Sequence, residues 1–399
     1  MHSTVADAAA SPAPVDTGVY YSGNYWNNRP EVVRYMNELA TDNPELVWFL
    51  HLLGWRGRPF RRALSLNCGN GWVERELVDR GVVESAVGVD IADELLTSAS
   101  AAAGGRPIDY HRHDINTGDL TSVAAGVDLV VNHAAGHHIA NIDRVFRQVC
   151  ELLPEDGVFV SYDYVGPHRN QYPAEQWDAI WRANEALPPR LRKQLPNASV
   201  PAMLAADPTE AIHSELILST IRRYFDVAHE RYLGGAVAYD VLTFNDAFFD
   251  PSTDTRTEVM DLLAADAAYR APDPSTRSMF AYLIATPRKQ VLADEAQLAE
   301  WTDEEQAREH QATSAGGRYD PPTMLEAVYE RIYLLERAAY ANGIDVPGVD
   351  IPRRGLLLRQ LRPIVARLPG SRRLAGYVRS RMRGSGAQDF SHGQGARGT

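Results

Sequence analysis

An alternation of two patterns between residues 61 and 166 constrains the fold more than any other feature of the sequence. Short apolar runs of β type alternate with longer runs in which apolar residues recur at helical spacing. This alternation is typical of parallel strands joined by helices that cover the sheet. The predicted strands are 63–66, 86–91, 108–113, 128–133 and 157–164, and the predicted helices between them are 72–80, 92–103 and 142–153. The pattern therefore predicts a doubly wound α/β sheet.

Two further strands complete the predicted sheet, and helical additions surround it. Residues 225–233 and 279–285 carry the β-type pattern, which gives seven strands. The segment "DPTEAIHSELILSTIRRYF", residues 207–225, predicts a helix that begins at an Asp or Thr N-cap. The predicted parts are a disordered leader (1–17), a helical lid (18–60), a main domain (61–290) with an insertion (167–222), a helical extension (291–350) and a basic amphipathic tail with a disordered end (351–399).

Charge and cysteine content exclude several classes of protein. The net charge is −12, and residues 351–384 contain ten arginines and no Asp, Glu or Lys, so the remainder carries −22. An acidic body repels a phosphate backbone, and we expect no nucleic-acid partner. Two cysteines, Cys68 and Cys150, cannot make a disulfide framework and fit a reducing compartment. The leader lacks the basic start of a secretory signal, and no run of ~18 apolar residues predicts a membrane span, so we expect a cytoplasmic protein.

The segment "LNCGNGW" joins the first predicted strand to the first predicted helix. Gly69 and Gly71 have no Cβ, so a ligand can approach the backbone closely there. Asp90 ends the second strand, where a carboxylate can accept hydrogen bonds from both hydroxyls of a ribose. Glu74 stands where a dinucleotide-binding turn has its third glycine, which favours a ligand without a pyrophosphate. The turn therefore predicts a site for an adenosine-containing ligand.

These residues resemble the class I S-adenosylmethionine-dependent methyltransferases. "LSLNCGNG" looks like the first motif of that family, "GVDIA" like the acidic second and "HDIN" like the third, and residues 128–164 resemble the segment from the fourth to the fifth strand. The resemblance implies a seven-stranded Rossmann-like sheet and S-adenosylmethionine as the cofactor. It also implies cofactor contacts along the turn and at the ends of strands two to four, from Asn67, Cys68, Gly69, Gly71, Asp90, Ile91, Asp114, Ile115 and Asn132.

A histidine cluster follows the fourth predicted strand, in the segment "NHAAGHHIAN". The carboxyl ends of the fourth and fifth strands face the crevice in which doubly wound sheets bind ligands. Methylation of a hydroxyl requires removal of its proton, and a neutral imidazole is the usual general base near pH 7. We expect the base to be His138, with His137 and then His133 as the next candidates.

Polar and aromatic residues follow the fifth predicted strand in "SYDYVGPHRNQYP". Carboxylate, amide, arginine and aromatic groups are what a polyhydroxylated or phosphorylated sugar requires. The predicted acceptor-binding residues are Asp163, Tyr164, His168, Arg169, Gln171, Glu210 and His213. The spacing of Asp163, His168 and Glu210 matches no metal-ligand signature, so no metal site is predicted.

The sequence favours one function over two alternatives. The loop after the fifth strand and the segment 207–214 are similar to those of methyltransferases of bacterial polysaccharide and glycolipid assembly, which implies O-methylation of a sugar or glycan hydroxyl. A methyltransferase acting on a small natural product is the first alternative. A non-catalytic S-adenosylmethionine-binding partner protein is the second, because Ser65 and Asn67 stand where the first motif usually has an acidic residue and a glycine.

The C-terminal part carries two amphipathic patterns. Leucines and arginines alternate at helical spacing from 357 to 383, which predicts either peripheral contact with the anionic inner face of a membrane or docking on the acidic body. Apolar residues at 325–339 follow heptad spacing, which predicts packing against the body or, as the alternative, a homodimer contact.

Overall fold

The computed structural model describes residues 24–195, 207 and 209–314, with side chains as far as residue 308. All of them belong to one compact unit, Met1–Gly316. The predicted leader, the apolar stripe at 325–339 and the basic tail lie outside the described residues. No helix among the described residues is both long and apolar enough to cross a membrane.

A mixed seven-stranded sheet forms the centre of the described part. Its strands are β1 (Phe60–Leu66), β2 (Val83–Asp90), β3 (Ile108–Arg112), β4 (Leu129–His133), β5 (Val158–Tyr164), β6 (Phe225–Tyr232) and β7 (Phe280–Pro287). The spatial order is β3-β2-β1-β4-β5-β7-β6; the first five are parallel, and β7 is antiparallel to both neighbours. The chain reverses its direction of travel across the sheet between β1 and β4, which is the place where such sheets bind ligands.

Helices connect the strands and cover the sheet. They are α1 (Pro30–Thr41), α2 (Trp48–Arg56), α3 (Trp72–Asp79), α4 (Asp93–Ala103), α5 (Ile142–Leu152), α6 (Ala174–Ala186), α7 (Ile217–Tyr224), α8 (Ala238–Leu242), α9 (Arg256–Arg270) and α10 (Glu295–Ser314). Helix α5 shows why its sequence forms a helix: its apolar residues recur at i, i+3, i+4 and i+7 and are all buried. Helix α5 ends at Leu152, and Pro154 lies two residues further on, where proline commonly follows the end of a helix.

The core on one face of the sheet is aromatic at its centre. The ring of Phe159 in β5 lies 5.5 Å from that of Phe146 in α5 and 4.8 Å from that of Phe225 in β6, and all three are buried. Helix α10 joins this core through Glu305, whose carboxylate accepts hydrogen bonds from the backbone N–H groups of Asp143 and Arg144 at 2.6 and 3.1 Å. Glu305 therefore satisfies two donors at the N-terminus of α5 that have no partner within the helix.

All seven predicted strands are confirmed, with their ends within three residues of the predicted ones. The helix predicted over 207–225 is wrong in its first half, because α7 begins only at Ile217. Ala211 has a left-handed φ of 49°, its carbonyl accepts a hydrogen bond from the backbone N–H of Arg169, and the N–H of Ile212 donates to the carbonyl of His137. These contacts with distant parts of the chain hold the segment as a loop.

The N-terminal segment that was predicted as a lid packs on the sheet. Trp26 is 2% exposed, and its ring stacks on Phe280 of β7 at 5.6 Å and meets the edge of Tyr239 at 5.9 Å. The hydroxyl of Tyr35 in α1 donates to Asp266 of α9 at 2.9 Å. The segment therefore covers the carboxyl end of β5 and the adjoining start of β7 in this conformation.

Candidate active site

The glycine turn after β1 has the backbone geometry that its sequence predicts. Gly69 and Gly71 have φ values of 56° and 74°, and Asn67 has 44°. Asparagine is one of the few residues that tolerate this left-handed region, so Asn67 can stand where the family usually has a glycine. A Cβ on Gly71 would lie 2.1 Å from the hydroxyl oxygen of Tyr110, which donates a hydrogen bond to the Gly71 carbonyl. Tyr110 was not predicted from the sequence, although its place on β3, opposite Gly88 of β2, was a signal.

Asp90 lies at the carboxyl end of β2, next to the turn. Its carboxylate accepts hydrogen bonds from the backbone N–H groups of Gly69 and Ala92, both at 2.9 Å, and the residue is 8% exposed. Asp90 therefore fixes the shape of the turn and retains lone pairs for a ligand. Ile91 directly after it exposes 57% of its surface, which is unusual for a large apolar residue and suits an aromatic ring face. Cys68, beside these residues, is a partly exposed free thiol.

The third motif is divided between the surface and the core. Asp114 is exposed, and its carboxylate accepts hydrogen bonds from Asn116 N and Thr117 Oγ1, both at 2.9 Å. Ile115 is 1% exposed and packs in the core with Leu120 and Ile139. The predicted contact of Ile115 with an adenine is therefore wrong for its side chain, because the chain turns at Asp114 and directs the next residue inward.

Asn132 at the end of β4 belongs to a buried hydrogen-bond network and is fully buried. Its Nδ2 donates to Ser161 Oγ at 2.9 Å and to Asp163 Oδ2 at 2.8 Å. The two N–H groups of this amide are therefore used inside the network and fix Asp163, while Oδ1 of Asn132 has no hydrogen-bond partner among the described residues. Contact of Asn132 with the sulfonium side of the cofactor stays a prediction.

His137 and Asp163 form the central pair of the site. Nδ1 of His137 lies 2.6 Å from Oδ1 of Asp163, so the imidazole donates to the carboxylate, and Asp163 is 1% exposed. Burial would lower the pKa of His137, but the charge of Asp163 and this hydrogen bond outweigh it and raise the pKa to about 9. Burial would raise the pKa of Asp163, and His137 reverses that effect and lowers it. The pair fixes the orientation of the His137 ring.

His138 and Glu210 complete a compact group with His137. Nε2 of His138 lies 3.7 Å and Nε2 of His137 lies 4.0 Å from Oε2 of Glu210. Nδ1 of His138 faces Thr209 Oγ1 at 3.1 Å and Asp207 Oδ2 at 3.8 Å. Burial and the charge of His137 lower the pKa of His138. Sequence reasoning treated Asp207 and Thr209 only as helix caps and missed their contact with the cluster, since the contact depends on the loop at 207–212.

His133 does not share these contacts. Its ring stacks between Trp48 at 5.6 Å and Tyr162 at 5.5 Å, and Trp72 lies against its edge at 5.0 Å. Burial lowers the pKa of His133 to about 4. The ring of His133 packs among aromatic side chains, apart from the contacts of His137 and His138, and its role as a base stays a prediction.

Most of the residues after β5 that were predicted to bind the acceptor contact the histidine cluster or the loops beside it. The hydroxyl of Tyr164 donates to the Pro167 carbonyl at 2.9 Å, and its ring lies edge-on to His137 at 5.9 Å. Arg169 Nη1 donates to the Glu210 carbonyl at 3.0 Å, and Gln171 Nε2 donates to the Arg169 carbonyl at 2.8 Å. These contacts hold Tyr164, Arg169 and Gln171 close to the cluster, and their contact with an acceptor stays a prediction.

His168 and His213 form a neighbouring group. Nε2 of His168 lies 3.2 Å from Glu215 Oε2, and its ring meets that of His213 edge-on at 6.1 Å. Burial lowers the pKa of His213 to about 4. The structure brings His137, His138, Asp163 and Glu210 together and leaves this pair beside them.

Part of the chain is similar to known methyltransferases. Residues 64–161 match the family described as a methyltransferase domain. The chain is 28% identical over 113 residues to the "Probable S-adenosylmethionine-dependent methyltransferase CRG1" of Saccharomyces cerevisiae. The aligned region covers 28% of this chain and 38% of that protein. It is 23% identical over 148 residues to the "Uncharacterized methyltransferase YcgJ" of Bacillus subtilis, which covers 32% and 58%. An S-adenosylmethionine-dependent methyltransferase structure from Mesorhizobium loti is 21% identical, covering 57% of this chain and 91% of that one, with a TM-score of 0.36.

The chain thus carries a class I S-adenosylmethionine-dependent methyltransferase domain, and S-adenosylmethionine is the cofactor of that domain. The chain spans 38% and 58% of the lengths of the two curated relatives, so the match concerns the domain. The residues at the turn fit the cofactor: Gly69 and Gly71 adopt the left-handed φ that a tight turn requires, Asp90 offers a carboxylate for the ribose, and Ile91 offers an apolar face for the adenine.

Proposed function

We propose that the protein transfers a methyl group to a hydroxyl of a sugar or glycan. The observation that carries the proposal is the cluster of His137, His138 and Glu210 at the carboxyl ends of β4 and β5. This cluster lies on the same edge of the sheet as the glycine turn, and Asn67 of the turn donates to the Ala135 carbonyl at 3.4 Å. A polar group beside the cofactor turn is what activation of a hydroxyl requires.

The chemistry divides between the cofactor and the chain. S-adenosylmethionine supplies a methyl group on a positively charged sulfur. The chain must align the acceptor oxygen with that methyl group and provide for removal of the hydroxyl proton. For a histidine general base, the geometry favours Nε2 of His137, since Asp163 holds the opposite side of that ring. With a pKa of about 9, only the small fraction of this ring that has lost its proton near pH 7 can act as the base. This changes the order expected from the sequence, which placed His138 first.

Aromatic residues beside the cluster support a sugar as the acceptor. The ring of Tyr164 lies edge-on to that of His137 at 5.9 Å. Phe280 packs against Tyr164 at 5.8 Å and against Tyr239 at 5.4 Å, so an aromatic group adjoins the cluster. Aromatic faces next to carboxylate and imidazole groups can pack on the apolar face of a sugar ring and bind its hydroxyls.

The test is a methyl-transfer assay with radiolabelled S-adenosylmethionine and three groups of acceptors: nucleotide sugars, oligosaccharides and phenolic natural products. We expect transfer to a carbohydrate, with the product methylated on oxygen. His137→Ala is expected to lower turnover by roughly 10²-fold or more while cofactor binding is retained. His229→Ala, which removes a histidine of the edge strand β6, is the matched control and is expected to retain turnover.

Each result separates the proposal from its alternatives. Transfer to the phenols alone would replace the carbohydrate by a small natural product as the acceptor class. Cofactor binding without transfer to any acceptor would support the non-catalytic partner instead. Equal turnover of His137→Ala and the unmodified protein would remove the cluster from the mechanism.

A further inference from the structure

The cluster of His137, His138 and Glu210 has the composition and spacing of a metal-binding site. One ligand atom from each residue lies within 4.8 Å of the other two. The two Nε2 atoms approach Oε2 of Glu210 to 3.7 and 4.0 Å. Ligand atoms at such separations can close around one ion through small side-chain rotations, whereas the backbone need not move. The three residues come from two separate segments that the fold brings together.

Each of the three side chains is held by a second contact. Asp163 accepts from Nδ1 of His137 at 2.6 Å, Thr209 Oγ1 lies 3.1 Å from Nδ1 of His138, and Asn170 Nδ2 donates to Oε1 of Glu210 at 3.5 Å. Nε2 of both rings and Oε2 of Glu210 are thereby turned toward one another. A carboxylate behind a histidine is the arrangement that orients metal-bound imidazoles and raises their basicity.

The charge of this region also favours a cation. Three carboxylates lie around the two imidazoles, from Asp163, Asp207 and Glu210. The guanidinium of Arg169 donates to the main chain of Glu210 and supplies one positive charge. Metal binding displaces the proton that His137 otherwise holds, so both imidazoles are then neutral and the protein groups carry −2, which one divalent ion balances. Buried charge of one sign is costly unless it is paired or bound to a metal.

The backbone around the site is held in an uncommon conformation. Ala134, Arg169, Asn170 and Ala211 all have a left-handed φ, between 49° and 54°. None is a glycine, and such conformations persist only where the surrounding structure determines them. Ala134 lies three residues before His137, Ala211 directly follows Glu210, and Arg169 and Asn170 both donate hydrogen bonds to Glu210, so these conformations occur next to the ligand residues.

We propose that His137, His138 and Glu210 bind one divalent transition-metal ion of the zinc type. Two imidazoles and one carboxylate select such ions over Mg²⁺ and Ca²⁺, which prefer oxygen ligands. Three protein ligands leave coordination positions open, as in catalytic metal sites.

The role of the ion rests on the proposed function. The acceptor hydroxyl binds at an open position of the ion, which lowers the pKa of that hydroxyl. The O–H bond breaks and its proton passes to water; the oxygen then forms a bond to the methyl carbon as the carbon–sulfur bond of the cofactor breaks. In this mechanism the histidines bind the ion and do not act as the base. The alternative, which the test distinguishes, is direct transfer of the hydroxyl proton to an imidazole that holds no metal.

The experiment measures Co²⁺ binding to the full chain after treatment with a chelator, through the visible absorption of the bound ion, with Zn²⁺ as the competitor. We expect one ion per chain. His138→Ala and Glu210→Gln are each expected to weaken binding by at least ~10-fold, and Asp163→Asn by about 10–100-fold through the loss of ring orientation. His168→Ala removes a neighbouring imidazole that also faces a carboxylate and is the matched control, with unchanged affinity expected.

The outcomes separate this inference from the proposed function, because ion binding needs neither cofactor nor acceptor. Equal affinity of the unmodified protein, His138→Ala and Glu210→Gln would overturn the site. Full methyl transfer by the metal-free protein would overturn the role of the ion in favour of a free histidine base. Ion binding lost in the two variants but no methylated carbohydrate would leave the metal site standing and refute the proposed function.

Discussion

Glu74 is the buried group whose replacement gives the sharpest stability prediction. It lies in the first turn of α3 under the glycine turn, is fully buried, and neither carboxylate oxygen has a hydrogen-bond partner among the described residues. Burial raises its pKa from 4.5 to about 7. Below pH 4.5 the carboxyl keeps its proton in both states. As the pH rises, the unfolded chain ionises first, so folding stability falls until about pH 7 and then changes no further through this group.

The magnitude follows from the pKa difference. A shift from 4.5 to about 7 corresponds to about 3 kcal/mol, most of it lost between pH 5 and pH 8. Glu74→Gln keeps the size of the side chain and removes the titration. The stability of this variant relative to the unmodified protein is therefore expected to rise by roughly 2–3 kcal/mol from pH 5 to pH 8.

The assay is urea denaturation of the cofactor-free protein at the two pH values. Glu76→Gln is the matched control on the same helix, because the Glu76 side chain is 39% exposed and pairs with Arg80 at 2.6 Å. Its stability difference from the unmodified protein is expected to vary much less with pH. If the free energies of unfolding of Glu74→Gln and of the unmodified protein change with pH in parallel, the pKa of Glu74 is not raised by burial. That result would refute the prediction.

Two further predictions concern the C-terminal part. Glu305→Ala should lower the free energy of unfolding by about 1–3 kcal/mol, because the N–H groups of Asp143 and Arg144 lose their acceptor. Replacement of the exposed Asp303 by Ala is the control and should have little effect. Equal losses of stability in the two variants would contradict the capping role of Glu305. For the basic tail, we expect the full chain to sediment with anionic liposomes at low salt and to be released at high salt, while a chain that ends at Asp350 remains in the supernatant. Equal sedimentation of the two chains would favour docking of the tail on the protein.

The sheet could be predicted because strand formation here depends on local pattern. Leu64, Val130 and Phe159 lie in short apolar runs bounded by polar or turn residues, and each is fully buried in its strand. Runs without polar alternation are typical of strands covered on both faces. The number of strands was predicted in this way, and the structure confirms it with a seven-stranded sheet.

The site could be predicted only where the chain itself brings residues together. Gly69 and Asp90 were found because both end strands of the same sheet edge. Glu210 meets His137 through a loop that backbone contacts fold back onto the site, and no local pattern indicates such a return. The same limit explains the error at Ile115, since the motif gives the position of a residue but not the direction of its side chain.

Calorimetric titration of the protein with S-adenosylmethionine tests the central claim most directly. We expect one cofactor molecule per chain, and loss of measurable binding in Asp90→Ala, because the variant removes a charged acceptor for the ribose and releases the N–H groups of Gly69 and Ala92. Asp93→Ala, which removes an exposed carboxylate three residues later, should bind as the unmodified protein does. Absence of binding by the unmodified protein, or unchanged affinity in Asp90→Ala, would contradict the account.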